Sequence, residues 1–298
     1  AWPVSEFGED VIFGLLESGI WPESESFKDE GMTKFPSRWK GQCESTIRCN
    51  KKLIGARFFN KGLLANSPNM TIAANSTRDT DGHGTDTSST AAGSVVVGSS
   101  YFGYANGTAR ELASIMRVAM YKVFWGEEAG GCGSDIIIAA IDSAISDGVD
   151  VLSLSFGSDE PLLALYEDAI AIATFSAKEK GVFVTVSAGN DGPFLGSMHN
   201  GIPWVTTVAS VTLDREFDGT LTLGNGVQII GLSLYHGNFS LSHVPMVFLG
   251  SWGIVKELVK VRNNIVVCED KNDNIICKVS DVYEANVAAA VFISNRSD

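Results

Sequence analysis

The 298-residue chain is 45 % apolar, enough for one large domain, or one domain and part of a second, around a buried core. Its 22 basic and 35 acidic residues leave a net charge of −13, which argues against nucleic-acid or anionic-membrane partners and favours a soluble protein. The longest apolar runs, residues 11–16 and 286–293, fall far short of the roughly 20 residues that a helix needs to cross a bilayer.

The amino terminus, Ala1-Trp2-Pro3-Val4, has no basic residue followed by an apolar stretch, so no secretory signal is written there. Residues 11–16 then read as a strand buried on both faces, with Glu17 at its carboxyl end. Cys43 and Cys49 lie close together in a polar loop, and their separation permits a small disulfide. Cys132, Cys268 and Cys277 are scattered, and the odd count leaves at least one thiol unpaired. Residues 44–78 are polar and predict a largely loop segment, of a length more typical of a functional or family-specific insertion than of a simple connection. Sequons at Asn69, Asn75, Asn106, Asn238 and Asn295 fit a secreted glycoprotein.

Further strands are expected at residues 118–124, 149–156, 182–187 and 205–211, all apolar and rich in β-branched residues. Helices separate several of them. Residues 134–147 carry Ile137, Ile141, Ala144 and Ile145 on one face, with Ser134 expected as the N-cap and Gly148 as the stop. Residues 166–180 repeat this logic with Ala169, Ala173 and Ala177, and Gly181 follows. Alternating strands and helices specify an α/β fold with a doubly wound, mainly parallel sheet, whose ligand sites lie at the carboxyl ends of the strands. Glu17 and Asn190 both occupy such ends. Beyond residue 224 the character changes to Gly-Asn-Gly turns, short strands at 244–249 and 265–268, and an Ala/Val-rich run at 285–293. The expected units are therefore residues 1–224 and 225–298.

The chemistry concentrates in two places. Asp79-Thr-Asp-Gly-His-Gly-Thr-Asp-Thr-Ser-Ser-Thr-Ala-Ala-Gly93 puts His83 between two glycines at the head of a small-residue helix, a setting that suits a catalytic base. Val184-Thr-Val-Ser-Ala-Gly-Asn-Asp-Gly-Pro193 carries Asn190 out of a buried strand into a Gly-flanked turn, where its amide would face developing negative charge. A base and an oxyanion donor imply acyl transfer. The serine nucleophile is absent: no Gly-Thr-Ser occurs in the chain. Gly196-Ser197-Met198-His199 is rejected for that role because it follows Asn190 directly and lacks a small-residue helix after it. No metal cluster or cofactor motif is evident.

These residues carry a resemblance. With Gly19-Ile-Trp-Pro-Glu-Ser-Glu-Ser-Phe27, Pro36-Ser-Arg-Trp-Lys-Gly41, Cys49-Asn-Lys-Lys-Leu-Ile-Gly-Ala-Arg-Phe58, Val149-Asp-Val-Leu-Ser-Leu-Ser155 and Ser187-Ala-Gly-Asn190, the chain resembles the amino-terminal part of plant subtilisin-like serine proteases of the cucumisin type. The resemblance implies an incomplete subtilisin-like domain at 1–224 followed by part of a protease-associated domain at 225–298. It also implies a secreted, apoplastic endopeptidase without cofactor. Its partner would be an extended peptide or protein substrate, with homodimerisation through the protease-associated region as a further contact. His83 matches the family's catalytic histidine and Asn190 its oxyanion donor, and the Cys43–Cys49 pair is expected to be bridged. Ser153-Leu154-Ser155-Phe156-Gly157 matches the edge strand that binds substrate by backbone pairing. Three departures stand out. Glu17 replaces the triad aspartate, and its added methylene is expected to misplace the carboxylate and impair the triad. Asp86 replaces a second histidine, within reach of His83 or as an acid complementing the helix dipole. Gly107-Thr-Ala-Arg-Glu-Leu-Ala-Ser114 loses a glycine and a proline beside the cleft. The enzyme reading, inactive as this chain stands, is set against a non-enzymatic homologue that keeps the cleft as a binding surface.

Overall fold

The computed structural model describes all residues except 1–3, 5, 71, 73–74, 126–132, 158–162, 193, 212, 214, 238–239, 252–257, 270–274 and 294–298. Cys132, Asn238 and Asn295 therefore lie outside the described residues. Two compact units divide between Leu213 and Asp214. This is earlier than expected, because Gly224 falls in the turn of a hairpin whose strands, β9 (Asp218–Thr222) and β10 (Gln228–Leu232), pair across it.

The first unit is built on a six-stranded parallel sheet. Its strands are β1 (Ile12–Glu17), β2 (Leu53–Phe58), β5 (Arg117–Lys122), β6 (Val151–Leu154), β7 (Phe183–Ser187) and β8 (Thr206–Val208), in the order β2-β5-β1-β6-β7-β8. Residues 44–78 are largely loop, as expected, but they also contain strand β2. Leu53-Ile-Gly-Ala is an apolar run too short to stand out in polar surroundings, yet its first four residues are buried beside β5. The short helix α1 (Lys61–Asn66) follows it, and an exposed antiparallel hairpin, β3 (Val96–Tyr101) and β4 (Tyr104–Ala109), comes after α2 (His83–Ala92).

Helices α3 (Ser134–Asp147) and α4 (Ala169–Glu179) cover one face of this sheet, where Ile136, Ile137, Ile141, Ile170 and Ala177 meet Leu16, Tyr121, Leu152, Val184 and Val186. Gly133, not Ser134, is the N-cap of α3, while Gly148 ends the helix at φ 93° as expected. Helix α4 starts later than 166 because Asp168 caps it: the carboxylate accepts the N–H groups of Ile170 and Ala171. On the opposite face, Ala92 of α2 packs with Phe13, Leu15, Val118 and Met120. Burial on both faces runs the whole length of β1 and β5. Along β6 and β7 it alternates, with Leu152, Leu154, Val184 and Val186 buried and the residues between them not.

The second unit holds the β9–β10 hairpin and a parallel three-stranded sheet of β11 (Met246–Ser251), β12 (Ile265–Glu269) and β13 (Ala289–Ile293), with α5 (Ile275–Ala285) between the last two. Leu258, Val266, Cys268 and Ala285 form its small core.

Candidate active site

Strand β1 ends on Glu17 and helix α2 opens on His83, and a polar network fixes one to the other. Asp79, buried, lies at its centre. Its carboxylate accepts the N–H groups of Asp81 at 3.1 Å, Gly82 at 2.9 Å and Thr85 at 2.8 Å, and the hydroxyls of Ser18 at 3.1 Å and Thr85 at 2.6 Å. Burial alone would push this carboxyl up, but those donors outweigh it and hold it below the usual range. Ser18 also accepts the Gly84 N–H at 2.7 Å, so one hydroxyl ties the end of β1 to the first turn of α2. Gly84 has to be glycine here: a Cβ would overlap the carbonyl oxygen of Gly19 and sit 3.0 Å from Cβ of Glu17. The helix can thus approach the strand closely enough for their side chains to meet.

They do meet. His83 Nδ1 lies 2.8 Å from Glu17 Oε2. The Glu17 side chain is 1 % exposed and that of His83 52 %, so a sealed carboxylate holds an imidazole whose other nitrogen, Nε2, is left for chemistry. The expectation that glutamate's extra methylene displaces the carboxylate from His83 is not met at this contact. The longer side chain costs elsewhere: Glu17 Oε1 is buried without a hydrogen-bond partner, and Ser155 approaches the carboxylate closely enough to lower its pKa without satisfying that oxygen. Burial pushes Glu17 above the ordinary carboxylate range, and the hydrogen bond and charge of His83 offset this only in part. Burial pushes the imidazole down, but the hydrogen bond and charge of Glu17, with the charges of Asp81 and Asp86, raise it above its ordinary value. Asp86 sits in the first turn of α2, and its charge adds to the upward push on His83.

The expected substrate strand is placed differently. Ser153 and Leu154 belong to β6, which lies between β1 and β7 and pairs with both, so they are interior rather than at an edge. Only Ser155, Phe156 and Gly157 run past the ladder. Asn200, which the sequence reading did not single out, pins that extension: its Nδ2 donates to Phe156 O at 2.8 Å and to Ser187 O at 2.9 Å. Asn190 lies exposed in the turn after β7, at the same carboxyl edge as Glu17. His199 fixes the start of that turn. Its N–H donates to Ala188 O, its ring fills the space where a Cβ of Gly189 would stand, and Nε2 meets Asp191 Oδ2 at 2.7 Å. Ser197 donates its hydroxyl to Phe194 O at 2.7 Å. No serine among the described residues is hydrogen-bonded to His83. Cys43 and Cys49 are bridged. Asn69, Asn75 and Asn106 are exposed.

Residues 8–280 match the model described as the subtilase family. The chain belongs to that family. It is 47 % identical over 98 % of its length to the subtilisin-like protease SBT3 of Solanum lycopersicum, of which it covers 39 %. It is 45 % identical over 99 % of its length to SBT1.9 of Arabidopsis thaliana, covering 41 %, and 44 % identical over 97 % to SBT1.7 of the same plant, covering 40 %. This subtilase chain thus spans about two-fifths of the length of these curated relatives.

Proposed function

We propose that these residues supply the base and the oxyanion donor of a serine endopeptidase that works by acyl transfer. The observation that carries this is the 2.8 Å contact between His83 Nδ1 and buried Glu17. Glu17 fixes the tautomer that carries the proton on Nδ1, so Nε2 accepts the proton of an attacking serine hydroxyl and returns it to the leaving amine. The Glu17 charge stabilises the imidazolium formed between those steps. Asn190 would donate to the oxyanion, and residues 155–157 would pair with an extended peptide. The nucleophile is a serine outside these 298 residues, and the protein acts in a secreted, oxidising compartment where the Cys43–Cys49 bridge persists.

Fluorophosphonate labelling tests this reading. A polypeptide joining these residues to the serine-bearing remainder of a plant relative is expected to label, and His83→Ala to abolish labelling. The 298 residues alone are expected to be silent, since removing the serine of subtilisin, the namesake of this family, costs on the order of a million-fold in turnover. Hydrolysis by the 298 residues that depends on His83 would show the nucleophile to be misplaced, with Ser197→Ala as the next variant. Peptide binding by the joined polypeptide without labelling would favour the non-enzymatic alternative.

A further inference from the structure

The sequon Asn75-Ser76-Thr77 lies in the segment that leads from β2 into the active-site network. Its side chains have unequal commitments. Ser76 is fully used: its hydroxyl pairs with Thr46 Oγ1 at 2.8 Å, donates to Glu44 Oε1 at 2.8 Å and accepts the Arg78 N–H at 3.2 Å. Thr77 is 0 % exposed, and its Oγ1 has no hydrogen-bond partner. Burying an unpartnered hydroxyl opposes folding, and valine has nearly the same shape without that cost. The folded protein therefore gives no reason for threonine at this position. Recognition of the unfolded chain does, because a hydroxyl two residues after asparagine is what N-glycosylation requires.

Asn75 itself is exposed and oriented for this. Its Oδ1 accepts Asn60 Nδ2 at 2.7 Å, which leaves Nδ2, the atom that glycosylation modifies, pointing away from that bond. Beside it opens a cavity of about 470 Å³ lined by Asn75, Thr46, Thr80, Arg78, Lys122 and Trp125. That volume lies within the range of about 300–1,000 Å³ that holds small organic ligands. Trp125 is fixed there by donating Nε1–H to Phe59 O at 2.8 Å, and the Lys122 ammonium stands 4.9 Å from its ring centre. A tryptophan ring with the Lys122 ammonium over it, bordered by hydroxyls and the Arg78 guanidinium, suits a sugar, which presents apolar C–H faces and hydroxyl edges. We propose that Asn75 carries an N-linked glycan whose first N-acetylglucosamine rests in this cavity. The inference is independent of the active-site reading and needs only passage through a glycosylating compartment.

The polypeptide that joins these residues to the serine-bearing remainder of a plant relative, exported from a glycosylating eukaryotic host behind a secretion leader, would be mapped by glycopeptide mass spectrometry. Asn75 is expected to be occupied, and an unmodified Asn75 in the exported protein overturns the proposal. Thr77→Val is expected to abolish Asn75 occupancy while leaving the circular-dichroism spectrum unchanged. Ser76→Ala, which breaks the hydrogen bonds but keeps the sequon, is expected to retain the glycan. Loss of native spectrum in Thr77→Val would show that the hydroxyl serves the fold and remove the reason for the assignment. For the docked sugar, native enzymatic deglycosylation at Asn75 should be at least tenfold slower than at the exposed hairpin site Asn106, if that site is occupied, or than at Asn75 after denaturation. Trp125→Ala should remove the difference. Equal rates for native and denatured protein would overturn the docking.

Discussion

At Glu17 and His83 two opposing effects act on each group, and their balance is measurable. Burial is the largest influence on both, yet His83 is held above its ordinary pKa because Glu17, Asp81 and Asp86 together outweigh desolvation. Replacing Glu17 with glutamine keeps the shape and removes the charge, so desolvation is then opposed only by Asp81 and Asp86, and the His83 pKa should fall. An NMR titration of the imidazole checks this, and an unchanged midpoint would mean that Glu17 does not hold the ring. The sign for stability follows from linkage. A folded pKa raised above the unfolded value contributes stability below the unfolded pKa that is lost as pH rises through the folded one. His83 and Glu17 are both raised, from ordinary values of 6.5 and 4.5, so each makes the fold less stable as pH rises through its own window. Asp79 is lowered and acts oppositely, its contribution being lost only as pH falls through its depressed value. In the polypeptide joined to the serine-bearing remainder of a plant relative, urea midpoints between about pH 5 and 8 should therefore decline less steeply with Glu17→Gln than with Glu17 kept. His83 and Glu17 were legible in the sequence from their flanking glycines and motif text. Asp79 was not, because its partners are backbone N–H groups and the hydroxyls of Ser18 and Thr85, which no spacing rule displays.

The elements that carry the site are joined by close approach. Helix α2 touches the end of β1 through Gly84 against Gly19, and this is where a single methyl group should have the greatest effect. Alanine is the better helix former by about 1 kcal/mol, so propensity alone predicts that Gly84→Ala stabilises. The obstructing atom is a backbone carbonyl oxygen, which cannot rotate away, and Gly19 is itself held at φ 127° against Thr77 O. Overpacking of this kind costs about 1–3 kcal/mol, so the clash should win and move His83 away from Glu17. A lowered urea midpoint together with a His83 pKa shifted toward that of Glu17→Gln is expected, and an unchanged or raised midpoint would show that the helix does not rest on Gly19. The core elements were readable from apolar periodicity, with ends misplaced by a few residues where a cap decides the boundary, as at Asp168. The run at 182–187 was read as buried on both faces although Thr185 and Ser187 already alternate with Val184 and Val186. The β-branched composition hid a period of two.

For the whole molecule that alternation has a consequence. Helices α3 and α4 cover one side of the sheet, whereas α2 packs chiefly on the β1–β5 part of the other. In register on that other side are Val151, Phe183, Thr185 and Val208, and the last strands leave Phe183 and Val208 each 55 % exposed. On the reading proposed above, the serine-bearing helix would pack in the core of this same sheet, so the segment that completes the chemistry would also complete the packing. An open apolar sheet face is an aggregation hazard. The 298 residues by themselves are therefore expected to bind a hydrophobic dye, self-associate, and melt without a sharp transition. Phe183→Ser with Val208→Thr should reduce dye binding and self-association with little loss of stability, because half-exposed side chains contribute little burial. Both measurements, light scattering and dye fluorescence, are made on the same preparations. A monomeric parent chain with a sharp, reversible thermal transition would show that the sheet needs no further cover. A double variant that unfolds would show that these side chains are already part of a core.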